Sequence, residues 1–175
     1  KRYGVQIQYN KEASPQDVHN SGFDEVVIAT GAQAAPLLMA NGRPMITQEQ
    51  ALANPEALGQ IVAFYDVTGE WTALSVIEHL ADLGKQISVF TPMAAFAWRT
   101  TIYSTLSNRK RLREKGVRLV LLRQILDFDG NTLTMEDVST GEKLTQAGFD
   151  SVVGAQYGKA QHELEHGIKA LAKSG

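Results

Sequence analysis

The segment Asp66-Val67-Thr68-Gly69-Glu70-Trp71-Thr72-Ala73 lies between an apolar run and a run with helical spacing. At such a step from strand to helix, backbone amides and the positive end of the helix dipole are on offer to a phosphate. Three glycines, as G-x-G-x-x-G, would serve the tight turn, the close approach of a pyrophosphate and the packing of helix on strand. Here Gly69 alone remains, and Ala73 stands where the third glycine would pack. Thr68, Gly69 and Trp71 would line the site. Asp66 and Glu70 bring negative charge to the place of the phosphate, and Trp71 adds bulk. After the next apolar run, Phe90-Thr91-Pro92 supplies no acidic residue for a ribose 2′-hydroxyl.

A second candidate is Thr30-Gly31, at the end of Phe23-Asp24-Glu25-Val26-Val27-Ile28-Ala29-Thr30-Gly31-Ala32. An apolar run without polar alternation predicts a strand covered on both faces. Gly31 allows a tight turn or the near approach of a ligand, since no Cβ intervenes. Thr30 and Gly31 would then face a nucleotide.

A third pattern, His162-Glu163-Leu164-Glu165-His166, has the letters of a zinc-protease helix, with two histidines one turn apart and a glutamate as base. Residues 167–175 hold no further His, Asp or Glu, and the surrounding helix is polar. A solvated helix face is the reading, and no metal site is expected. The cations Arg109, Lys110, Arg111, Arg113, Lys115 and Arg118 likewise read as a solvated face rather than a nucleic-acid patch. His19 and His79 stand alone. Phe96 and Trp98 are expected at the surface of the domain or against a neighbouring one.

The elements that must position these residues follow from periodicity. Val5, Ile7 and Tyr9 alternate with polar residues, as in a half-exposed strand, and Ser14-Pro15 opens a short helix to about Asn20. Thr47-Gln48-Glu49-Gln50 is a capping box for a helix through about Ala53, ended by Asn54-Pro55. Residues 61–65 form a strand, the apolar positions Ala73, Val76, Ile77, Leu80 and Ala81 a helix stopped by Gly84, and residues 87–90 a second strand. That is a βαβ unit with a parallel pair and a right-handed crossover. A helix over about 105–115 ends at Gly116, and a strand over 117–122 follows. A hairpin crosses Asp129-Gly130-Asn131. Phe149-Asp150-Ser151-Val152-Val153-Gly154 echoes the pattern of residues 23–31, and residues 160–173 form a polar helix.

At 175 residues the chain has room for one domain with flanks, and a net charge of -2 argues against nucleic acid or an anionic membrane as partner. No apolar run approaches the roughly 20 residues of a membrane span. Without cysteine the chain carries no disulfide, iron–sulfur or zinc–thiolate site, which is compatible with the cytoplasm. The sequence opens at Lys1 inside an alternating segment, as a piece of a longer chain would.

Residues 24–32 resemble the D-x-V-V-I-A-T-G-A signature of flavoproteins with two dinucleotide domains, where it closes the flavin-side domain. Tyr65, Asp66, Gly69 and Trp71, then Glu78, Leu80, Ala81 and Gly84, then Thr91-Pro92, resemble the C-terminal region of a second, narrower group. So do residues 111–117. This is the family of trimethylamine dehydrogenase, histamine dehydrogenase and 2,4-dienoyl-CoA reductase. The resemblance implies an α/β, Rossmann-like three-layer domain with a central parallel sheet and a β-hairpin or meander, flanked by pieces of a second dinucleotide-binding domain. Residues 1–58 would end the FAD/ADP-side domain, 59–148 form the NAD(P)-type domain, and 149–175 return to the first. It implies FAD or ADP, and possibly NAD(P), in this region. FMN and a 4Fe-4S cluster would belong to a separate N-terminal barrel. That barrel and an electron-transfer protein would be the partners. The loss of the glycine motif favours the amine-dehydrogenase branch, in which electrons leave through a separate acceptor. Two readings stand side by side: a nucleotide-binding module that turns over no substrate alone, and a structural or interaction module with both sites empty. Substrate, acceptor and oligomeric state are not readable from the sequence.

Overall fold

The computed structural model describes residues 3–173. Lys1, Arg2, Ser174 and Gly175 lie outside them, and so do the outer ends of the expected 1–58 and 149–175 segments. In chain order the elements are α1 (Pro15–Asn20), β1 (Ala32–Gln33), β2 (Ile46–Thr47), α2 (Gln48–Ala53), a 3-10 turn (Pro55–Leu58), β3 (Ile61–Asp66), α3 (Trp71–Asp82), β4 (Gln86–Phe90), α4 (Ile102–Glu114), β5 (Arg118–Val120), β6 (Arg123–Phe128), β7 (Thr132–Asp137), β8 (Lys143–Ala147), β9 (Ser151–Ala155), β10 (Lys159–Ala160) and α5 (Glu163–Lys173). They form two compact units. Unit 1 joins the residues up to Gln33 with those from Lys159 onward, and unit 2 is Ala34–Gly158.

Unit 2 carries a five-stranded parallel sheet in the order β2-β9-β3-β4-β5. β3 lies at its centre because its side chains can be buried on both faces: all residues from Val62 to Asp66 are buried. α3 turns Ala73, Val76, Ile77 and Leu80 onto one face, where they pack with Val62, Phe64, Val89 and Val153. The other face holds Ala63, Tyr65, Phe90 and Val152 against Ile125, Leu133 and Met135 of the antiparallel sheet β6-β7-β8. This is the expected α/β, Rossmann-like arrangement, with the meander as one layer. Burial raises the Tyr65 phenol to about 12. Gly84 and Gly116 end α3 and α4 with φ of +83° and +75°.

Unit 1 is a smaller assembly of α1, α5 and the antiparallel pair β1–β10, in which Ala32 faces Ala160 and Gln33 faces Lys159. Ser14 caps α1 as expected and closes a capping box with Asp17, whose carboxyl is held below its ordinary value by two hydrogen bonds from Ser14. Gly167 lets α5 meet α1, since a Cβ there would lie 2.4 Å from Pro15 Cγ.

Two expectations are corrected here. Residues 23–30 form no strand, and Phe23 is 74% and Val27 91% exposed. Their backbone meets no neighbouring strand among the described residues, so the cover that an apolar run needs is not supplied. Residues 5–9 are likewise exposed and outside any strand. The echo at 149–154 takes a different course: β9 pairs with β3 and β2 inside unit 2. The two units divide after residues 33 and 158.

Candidate functional site

In open parallel sheets, ligands sit beyond the carboxyl ends of the strands. In unit 2 those ends are set by register: Tyr65 pairs with Phe90, and Asp66 with Ala155. Three loops leave this edge, after β3, β4 and β9, and they carry the side chains that meet there.

The first loop is folded on Asp66. Its Oδ1 accepts from the Thr68 amide at 2.8 Å, the Thr68 hydroxyl at 2.8 Å and the Gly69 amide at 3.0 Å. This is the geometry that aspartate favours when it caps a turn of its own backbone. Asp66 is 1% exposed, and its Oδ2 is buried without a hydrogen-bond partner. The carboxylate foreseen as a repulsive neighbour of phosphate is thus the acceptor for the turn itself.

The second loop lays Trp98 on Gly69. An ideal Cβ at Gly69 would lie 2.5 Å from Cδ2 of the indole, and Gly69 has φ of +65°, a region open chiefly to glycine. The loop is fastened by a backbone bond from the Arg99 amide to the Gly69 carbonyl (3.2 Å) and by an ion pair from Arg99 to Glu70 (3.1 Å). Ala97, fully buried, adopts φ of +52°, and its carbonyl accepts from the Thr100 hydroxyl at 2.9 Å. From the third loop, the Tyr157 ring lies 5.4 Å from the Arg99 guanidinium, and the Tyr157 hydroxyl accepts a hydrogen bond from Arg99. The hydrogen bond to Glu70 holds the Arg99 guanidinium above its usual value, and partial burial raises the Tyr157 phenol. Phe96 is buried in the core of unit 2 and not at its surface, whereas Trp98 is partly exposed and packs on Gly69.

Of the three residues expected to line this turn, Thr68 and Gly69 meet on Asp66. Trp71 stands apart at the start of α3, 53% exposed. This turn does not fit a dinucleotide. The Thr68 and Gly69 amides are spent on Asp66, and the glycine face is covered by an indole. Sequence reasoning missed Trp98 and Arg99, which lie about thirty positions from the turn and carry no local signal.

In unit 1, the Thr30 hydroxyl donates to the Gln161 carbonyl (2.8 Å), and the Gln161 amide donates to the Gly31 carbonyl (3.1 Å). Gly31 has φ of +72°, and nothing lies within 4 Å of where its Cβ would be. An open cavity of about 660 Å³ borders Thr30, with Ser14, Gln161, Glu12 and Glu163 on its wall. Two carboxylates suit a group that donates hydrogen bonds, such as a ribose diol, and oppose a phosphate beside them. The residues fit the nucleoside part of a nucleotide.

The remaining patterns resolve into structure. His162 precedes α5, stacks on His166 with ring centroids 5.7 Å apart and bonds Glu165 at 3.0 Å. Hydrogen bonds from Lys169 and His162 lower the Glu165 carboxyl. No group of three metal-ligating side chains converges among the described residues. The basic cluster divides. Arg111 bonds Glu78 through two nitrogens at 3.1 and 3.0 Å, and Lys115 pairs with Glu78 and Asp82, joining α4 to α3. Arg118 binds Ser88 and Gln146. No described helix is long and apolar enough to cross a membrane.

No protein-family model and no curated protein matches the chain. Solved structures do. The 6-hydroxypseudooxynicotine amine oxidase of Pseudomonas geniculata N1 matches 94% of this chain with a TM-score of 0.80 at 20% identity. Histamine dehydrogenase from Rhizobium sp. 4-9 matches 94% with a TM-score of 0.77 at 21% identity. A 2-naphthoyl-CoA reductase in complex with 2-naphthoyl-CoA matches 95% with a TM-score of 0.75 at 20% identity. At these identities the likeness shows the fold. The chain spans only 26%, 27% and 25% of those three chains.

Proposed function

We propose that this chain is the nucleotide-binding-type C-terminal module of a multidomain flavin and iron–sulfur oxidoreductase, of the amine dehydrogenase or enoate reductase type. One observation carries the reading: the likeness to an amine oxidase, an amine dehydrogenase and a reductase runs through both units, yet fills only about a quarter of each. The sequence resemblance at residues 24–32 and 65–92 agrees with it.

In this reading unit 1 is the FAD/ADP-side piece and unit 2 the NAD(P)-type piece. Thr30 and Gly31 border the nucleoside of ADP, or of the ADP half of FAD. FMN and the 4Fe-4S cluster belong to a barrel domain outside this chain, and FMN supplies the redox chemistry there. This chain contributes binding and positioning: Gly31 keeps a bare Cα toward the ligand, Thr30 fixes the neighbouring strand pair, and the carboxylates of Glu12 and Glu163 are acceptors for ribose hydroxyls. It turns over no substrate alone, and it works in the cytoplasm.

A second reading, a structural or interaction module with both sites empty, is favoured by the closed turn in unit 2. Calorimetric titration of the chain with ADP, FAD, NADH and NADPH separates the two. Saturable heat with ADP, lost in Gly31→Val, supports the first. Absence of heat with all four supports the second.

A further inference from the structure

A glycine turn takes a pyrophosphate because two things are free there: amide donors aimed outward, and a Cα face with no side chain over it. In unit 2 the chain itself takes the donors of Thr68 and Gly69 and the face of the glycine. The Thr68 and Gly69 amides and the Thr68 hydroxyl converge on one carboxylate oxygen of Asp66, within 2.8 to 3.0 Å. The other oxygen is buried and unpaired. A second anion brought to the turn would find the Thr68 and Gly69 donors already engaged and would meet the buried, unpaired Oδ2 of the carboxylate. The indole of Trp98 lies over Gly69, and the turn cannot gain even a methyl group at that position without moving it. The loop behind the indole is set in place by the Arg99–Gly69 backbone bond, the Arg99–Glu70 pair and Ala97 at positive φ. An uncommon backbone conformation persists where its surroundings over-determine it.

We propose that the turn after β3 is a self-ligated seat: the Asp66 carboxylate stands in for the pyrophosphate and the Trp98 indole covers the glycine, so that unit 2 keeps the dinucleotide fold while closed to NAD(P)H. Asp66 is then a positioning residue for the turn and Trp98 a plug. The assignment takes from the proposed function only that unit 2 has a dinucleotide-type fold. It does not require that unit 1 hold ADP.

The test is an amide-resolved titration of the ¹⁵N-labelled chain. In the ligand-free protein the Thr68 and Gly69 amides exchange with solvent as slowly as those inside β3. They do not shift with millimolar NADH, NADPH or inorganic pyrophosphate. In Trp98→Ala the glycine face is uncovered, yet the two amides remain protected, because Asp66 and not the indole holds them. Exchange at the rate of an open loop in the ligand-free chain, or loss of protection in Trp98→Ala, would overturn the role of Asp66. A saturable shift of Thr68 and Gly69 with NADH in the unaltered chain would overturn the closure. Whether ADP moves Thr30 and Gly31 is read on other residues, so failure of that reading is told apart from failure of this one.

Discussion

Gly31 in unit 1 and Gly69 in unit 2 share a left-handed backbone, with φ of +72° and +65°, and each follows a threonine. Beyond that they differ in every respect that matters to a ligand. Gly31 is open, with no atom within 4 Å of its missing Cβ, and its neighbour Thr30 borders a cavity. Gly69 is buried under Trp98, and its amide is spent on Asp66. A glycine turn therefore does not of itself make a nucleotide site. What decides is whether the chain has already supplied an acceptor for the amides and a cover for the Cα.

The most forceful way to break this contrast is to add one methyl group at each turn. Gly31→Ala costs only the left-handed backbone penalty of about 1–2 kcal/mol. Gly69→Ala incurs that penalty and also forces the indole away, an overpacking cost of about 1–3 kcal/mol more. Urea unfolding of the two variants checks the difference, and equal losses would contradict the packing assigned to Trp98. Next in size, Trp98→Ala removes a half-buried aromatic side chain and costs about 2 kcal/mol. The same measurement reads it, and a neutral result would mean that the plug contributes nothing to unit 2.

A pH arm sharpens the account of unit 2. The amides of Ile61 and Gln60 donate to the Asp150 carboxyl at 2.7 Å and hold its pKa below the ordinary 3.8. A carboxyl lowered in the folded state gives stability that is full above its unfolded value and is lost as pH falls through its folded one. Asp150→Asn should lower Tm by a few degrees at neutral pH and flatten the acid limb of the Tm–pH curve below about 4. An unchanged acid limb would show that Asp150 does not clip the start of β3. Smallest is Arg99→Gln. Arg99 is exposed, so its pair with Glu70 contributes little to stability. The variant should loosen the Trp98 loop, read as higher acrylamide quenching of Trp98 in a Trp71→Phe background, with little change in Tm.

Much of unit 2 is legible in the sequence because its signals are local. The capping box at Thr47, the run 61–65, the helical spacing from Ala73 to Ala81 and the Asp129-Gly130-Asn131 turn each specify an element within a few residues. Residues 23–30 mislead for the opposite reason. An apolar run states what a strand would need, not whether a neighbour is there to provide it. At the turn, the spacing of Asp66 to Thr68 and Gly69 already has the form of an aspartate-capped turn. Its charge suggests repulsion of a ligand, whereas in the fold it satisfies its own backbone. Trp98 was beyond reach, since only the fold brings the loop after β4 over the loop after β3.

The most direct measurement is a chemical-shift titration of the labelled chain with ADP. The account predicts saturable movement of the Thr30, Gly31 and Gln161 amides while Thr68 and Gly69 stay fixed. Movement of Thr68 and Gly69 with Thr30 and Gly31 unmoved would contradict it.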